Sequence, residues 1–108
     1  MGPEKRFETK IKEFLDAEGA YYVKYFANRN TKSGVPDILA CVNGYFVAIE
    51  VKAEDGTVKP LQEHHLTEIR IAGGFSFALY PSGFDKFKSF IRSLKREEFK
   101  RDMDLILK

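Results

Sequence analysis

One cysteine in 108 residues means that no disulfide can form within the chain, and a reducing compartment is expected. Cys41 sits in an apolar run and is expected to be a small core residue. No apolar run approaches the ~18 residues that a membrane span needs. The first six residues are not followed by the apolar stretch of a secretion signal, so a cytoplasmic protein is expected. Repeats, linkers and low-complexity tracts are absent, and the length suits one domain. Net charge is only +2, too little to name a partner by itself.

The charge is unevenly placed. Residues 86–108 hold eight basic and four acidic residues, a surplus of four, and leave the rest of the chain slightly acidic. A basic C-terminal segment suits a polyanion; a solvated, salt-laced helix face is the plainer alternative.

Phe7, Ile11, Phe14 and Leu15 mark one face of a helix over about Pro3–Glu18, stopped by Gly19. Tyr21–Phe26 reads as a strand and Asn28–Gly34 as a polar loop carrying Arg29 and Lys32. Two strand-like runs, Pro36–Val42 and Tyr45–Lys52, flank Asn43-Gly44, the pair that favours a type I′ hairpin turn. Pro60 opens a helix that runs to about Ala72. Phe75–Tyr80 is a fourth strand, Pro81-Ser82-Gly83 a turn, and Phe84–Leu94 a further amphipathic helix. Glu97–Leu107 is expected to be helical as well. The order is α-β-β-β-α-β-α: an α/β fold with a mixed sheet flanked by helices.

The hairpin places chemistry. With a two-residue turn, paired positions sum to 87, so Asp37 stands opposite Glu50, about 5 Å away on the same face. Lys52, two residues on, shares that face. Facing carboxylates among apolar neighbours repel and are penalised by burial. A hard divalent cation removes both costs, because Mg²⁺ binds through one or two carboxylates with water and phosphate. Lys52 can then steady a water or the transition-state phosphate. The structural alternative is an Asp before a strand and an exposed Glu–Lys pair. Gln62 lies on the inward face of its helix with Leu66 and Ile69, where an amide needs partners; a first-turn Gln at the helix edge is the alternative.

Other features point less far. His64 and His65 are adjacent on a helix and project about 100° apart, a poor start for a zinc site. Gly73-Gly74 ends a helix rather than opening one, so it is no phosphate loop. Tyr21, Tyr22, Tyr25 and Phe26 can stack on bases, but core or dimer packing is the expected use.

Ser33-Gly34-Val35-Pro36-Asp37, Glu50-Val51-Lys52 and Pro60-Leu61-Gln62 together resemble the virus-type replication-repair nuclease (VRR-NUC) domain of the PD-(D/E)xK superfamily, over about Phe7–Ile91. The resemblance implies a restriction-endonuclease-like fold and an Mg²⁺-dependent DNA endonuclease, with Mn²⁺ as a substitute. It implies Asp37 and Glu50 as metal ligands, Lys52 as the catalytic lysine and Gln62 as its supporting residue. The family's first-helix acid matches Glu8 best, with Glu4 and Glu13 as competitors. Lys24 matches a basic position in the first strand that reaches phosphate, and Arg29 and Lys32 join it as expected DNA contacts. By the same analogy the protein is a homodimer selective for branched DNA such as Holliday junctions, of phage or prophage origin. Residues 1–95 form the nuclease domain and 96–108 a basic helical extension. A nucleic-acid-binding module that does not cut is the alternative.

Overall fold

The computed structural model describes residues 1–96, and the expected helix over Glu97–Leu107 lies outside them. The elements run α1 (Pro3–Ala17), β1 (Tyr21–Lys24), β2 (Ile38–Val42), β3 (Tyr45–Val51), α2 (Pro60–Ile71), β4 (Phe75–Leu79), a short 3₁₀ turn (Pro81–Gly83) and α3 (Phe84–Arg96). The four strands form one sheet in the order β1-β2-β3-β4. The first two pairings are antiparallel and β3–β4 is parallel, joined through α2. The expected α/β class and element order both hold.

The β2–β3 register is the expected one: Val42 pairs with Tyr45 and Ile38 with Ile49. Asn43 and Gly44 take positive φ values of 49° and 87°, as a type I′ turn requires at both central residues. The Asn43 amide also donates to the Leu94 carbonyl at 2.9 Å, which ties the hairpin tip to the end of α3.

The two faces of the sheet are covered unequally. Val47, Ile49 and Val51 point with Ile38, Ala40, Val42 and Leu79 into a core closed by α1 and α3. The helices contribute Phe7, Ile11, Phe14 and Leu15 from α1 and Phe87, Ile91 and Leu94 from α3. Edge-on phenylalanine pairs join them, such as Phe7–Phe84 and Phe14–Phe87 with centroids 5.5 and 5.8 Å apart. On the other face α2 covers β3 and β4, where Ala48 and Leu66 are buried and Ser76 Oγ donates to the Leu66 carbonyl.

Helix α2 leaves the β1–β2 half of that face open. Tyr21, Cys41 and Phe46 stand in register across three strands, and all three are exposed. The expectation of a core Cys41 is therefore corrected: β2 alternates, and Cys41 points to the half of the face that α2 leaves open. Core packing also fails for Tyr21 and Phe26, which are 73% and 71% exposed. Tyr22 and Tyr25 are half-buried.

Candidate active site

The open end of the hairpin gathers six side chains from five parts of the chain. Pairing of β2 with β3 ends at Ile38–Ile49, one position short of Asp37 and Glu50. Asp37 is held there by two backbone bonds: its carbonyl accepts from Tyr25 N at 2.8 Å, and its Oδ2 accepts from Val51 N at 2.8 Å. The carboxylate thus closes the ladder in place of a main-chain group. Upstream, Gly34 has φ +81°, and a Cβ there would meet Leu61 Cγ at 2.7 Å. The loop before Asp37 therefore presses on the first turn of α2, one residue from Gln62, and only glycine fits.

Glu50 and Lys52 face α2 and are almost wholly buried, at 4% and 7% exposure. Gln62 joins them. Its Nε2 donates to Glu50 Oε2 at 3.1 Å, and its Oε1 accepts from Lys52 Nζ at 2.9 Å. The same Oε1 accepts from the Lys59 amide at 3.0 Å, so the residue that bridges the acid and the lysine also caps its own helix. Lys52 Nζ lies 3.6 Å from Glu50 Oε2. Burial, then the neighbouring Asp37 carboxylate, push the Glu50 carboxyl up to about 7 against the pull of Lys52.

Of the three candidate acids in α1, Glu8 is the one that points inward, at 5% exposure; Glu4 and Glu13 are exposed. Lys24 Nζ donates to Glu8 Oε1 at 2.7 Å and reaches Asp37 Oδ1 at 3.3 Å. Lys12 and Lys5 reach the other Glu8 oxygen at 3.0 and 3.5 Å. Burial alone would raise the Glu8 carboxyl, but Lys24 and Lys12 outweigh it and hold it at about 2. Arg29 and Lys32 are exposed on the loop between β1 and β2, and the Lys32 carbonyl accepts from Tyr25 Oη at 2.8 Å.

The structure therefore brings Glu8, Lys24, Asp37, Glu50, Lys52 and Gln62 together and leaves Arg29 and Lys32 on the rim loop. Sequence reasoning missed the Val51 amide that fixes Asp37, the Gly34–Leu61 contact, and the lysines that neutralise Glu8. Lys12 was legible as the i+4 neighbour of Glu8; Lys24 comes from a separate element and had no such signal.

The donor set decides whether a divalent cation fits. Among the described residues, no group of three or more His, Cys, Asp or Glu side chains forms a ligand cage. Two adjoining carboxylates, one of them reluctant to ionise because it is buried beside the other, are what Mg²⁺ uses when water and phosphate complete its shell. The residues fit such an ion at Asp37 and Glu50. Glu8 stands apart from them behind the Lys24 ammonium.

A mixed sheet flanked by helices, with an acid pair and a lysine at the end of its central hairpin, defines the PD-(D/E)xK class of nucleases. The family model described as archaeal Holliday junction resolvase (Hjc) matches residues 4–75, more than half of the chain, a span that includes all six site residues. The chain belongs to the archaeal Holliday junction resolvase family. This bears out the superfamily reading of the motifs and does not speak for the virus-type branch in particular. No curated protein and no solved structure matches the chain. Among the described residues, no helix is long and apolar enough to cross a membrane.

Proposed function

We propose that the protein is a divalent-metal-dependent DNA endonuclease that cuts branched DNA, Holliday junctions above all. The observation that carries this reading is the buried Glu50 carboxyl beside Asp37, with Lys52 and Gln62 bonded into the same cluster. The family's name supplies the substrate class. The virus-type likeness of the motif residues leads to the same chemistry.

Asp37 and Glu50 would hold Mg²⁺ or Mn²⁺, with Glu8 the third acid at the site. The bound ion supplies a Lewis acid for the scissile phosphate and a more acidic water. Lys52, fixed by Gln62 Oε1, puts its ammonium beside the reacting phosphate and balances charge that develops there. Gln62 keeps Glu50 and Lys52 at one spacing and so serves as a positioning residue. Lys24, Arg29 and Lys32 contact the DNA backbone without reading sequence, which makes binding salt-sensitive. On this reading residues 1–95 carry the catalysis; of the basic 96–108 segment, residues 97–108 lie outside the described residues.

A homodimer fits the same reading. The uncovered strip of Tyr21, Val23, Cys41 and Phe46 is an apolar sheet surface that a second copy can cover. A two-fold pair of sites suits a junction, in which two opposed strands must be cut.

The test is cleavage of a labelled four-way junction and of linear duplex with Mg²⁺, Mn²⁺ or EDTA, beside Asp37→Ala. Cutting that needs metal and is lost in the variant is the expected result, with the junction preferred. Binding without cutting under every metal would sink the enzyme reading in favour of a non-catalytic DNA-binding module.

A further inference from the structure

We infer that Lys24 is a tethered cation that guards Asp37 until DNA draws it away, so that metal and DNA load the site together. This rests on the proposed metal-dependent nuclease. Both Asp37 oxygens are engaged: Oδ2 by the Val51 amide, and Oδ1 by Lys24 at 3.3 Å. The main-chain bond is fixed by the sheet, whereas the lysine is a flexible stem with a movable ammonium. A divalent cation at Asp37 would sit beside that ammonium, and two cations so close in a partly buried site repel strongly.

Lys24 can leave at little cost to Glu8. When its 2.7 Å bond to Glu8 is given up, Lys12 at 3.0 Å and Lys5 at 3.5 Å still neutralise that carboxylate. Asp37 has no such reserve, since Lys24 is the one cation paired with it among the described residues. The consequence is directional. A DNA phosphate at the rim offers Lys24 a new anion, the ammonium moves out, and Asp37 becomes free for the metal. Coupling of two ligands is reciprocal, so metal tightens DNA binding by the same factor as DNA tightens metal binding.

The readouts are binding, not turnover. Mn²⁺ affinity of the free protein is measured by electron paramagnetic resonance for wild type, Lys24→Met and Lys12→Met. Affinity for a labelled duplex is measured by fluorescence anisotropy with and without Mn²⁺ at constant ionic strength. Lys24→Met should bind Mn²⁺ roughly tenfold more tightly than wild type and lose most of the mutual enhancement between Mn²⁺ and DNA. Lys12→Met removes the same charge from Glu8 without touching Asp37, and should keep both wild-type Mn²⁺ affinity and the enhancement. Equal effects of the two variants would mean diffuse charge rather than a guard, and would overturn the inference. So would an unchanged enhancement in a folded Lys24→Met. A wild-type protein that binds no Mn²⁺ with or without DNA would overturn the nuclease reading too, whereas normal Mn²⁺ binding unaffected by Lys24→Met would overturn this inference alone.

Discussion

Glu8 and Glu50 are buried to the same degree, 5% and 4% exposed, and Asp37 stands between their two surroundings. Their carboxyls are nonetheless driven in opposite directions. Glu8 faces ammonium groups from Lys24, Lys12 and Lys5 and is held at about 2. Glu50 faces another carboxylate, has one lysine at 3.6 Å, and is pushed up to about 7. Burial penalises both, so the sign of the shift is set by what shares the burial. An acid already matched by cations is structural glue. An acid buried beside a second acid is left with a demand for positive charge, which on the proposed reading a divalent cation would meet.

The comparison breaks most sharply in activity. Glu50→Gln should lower cleavage by on the order of 10³-fold or more, since on the proposed reading it removes a metal ligand where charge develops in the reaction. Glu8→Gln is expected to lose less cleavage than Glu50→Gln; single-turnover rates with saturating Mg²⁺ separate the two, and an equal loss would make Glu8 as indispensable as Glu50.

Stability should show the reverse order. Glu8→Gln leaves Lys24 with Asp37 alone at 3.3 Å and should cost about 1–2 kcal/mol near neutral pH. The Glu8 carboxyl is depressed, so its contribution is present above the ordinary value of 4.5 and is lost as pH falls toward 2. Denaturant melts of wild type and Glu8→Gln should therefore converge in acid.

For Glu50 the sign inverts. The unfolded acid is ionised above 4.5, but the folded one keeps its proton to about 7. Metal-free stability should then fall as pH rises from 4.5 to 7 and level off above. Glu50→Gln should remove that slope and stabilise the metal-free protein at pH 8 by on the order of 1–3 kcal/mol. A variant less stable than wild type at pH 8 would show that Glu50 is glue after all.

The smallest effect is expected on the open face. Cys41→Ser should change stability by less than about 0.5 kcal/mol in a monomer, because its side chain meets no core. A larger loss that grows with protein concentration would place Cys41 in an interface between two copies.

Much of this was legible in the sequence, for identifiable reasons. Asn43-Gly44 allows one tight turn, and the turn fixes the register that sets Asp37 against Glu50. Helical period placed Gln62 inward beside Leu66, and α2 begins at Pro60 as its missing amide hydrogen allows. What failed was the choice of face. The run Ile38–Val42 is apolar throughout, and nothing within it says that the twelve residues of α2 cover β3 and β4 but not Cys41. The same blindness hid Lys24 on Glu8, a contact made by folding β1 against α1 rather than by spacing.

The hairpin turn acts at a distance. Gly44 and Glu50 are separated by roughly 20 Å of extended chain. Pairing is counted outward from the turn, so the hairpin is a ruler whose zero is Asn43-Gly44 and whose reading is the acid pair. A miscount of one residue would send Glu50 to the phenylalanine side of the sheet. Strain or charge fades with distance, but a counting error arrives whole, and the Asn43 bond to α3 holds the zero mark still.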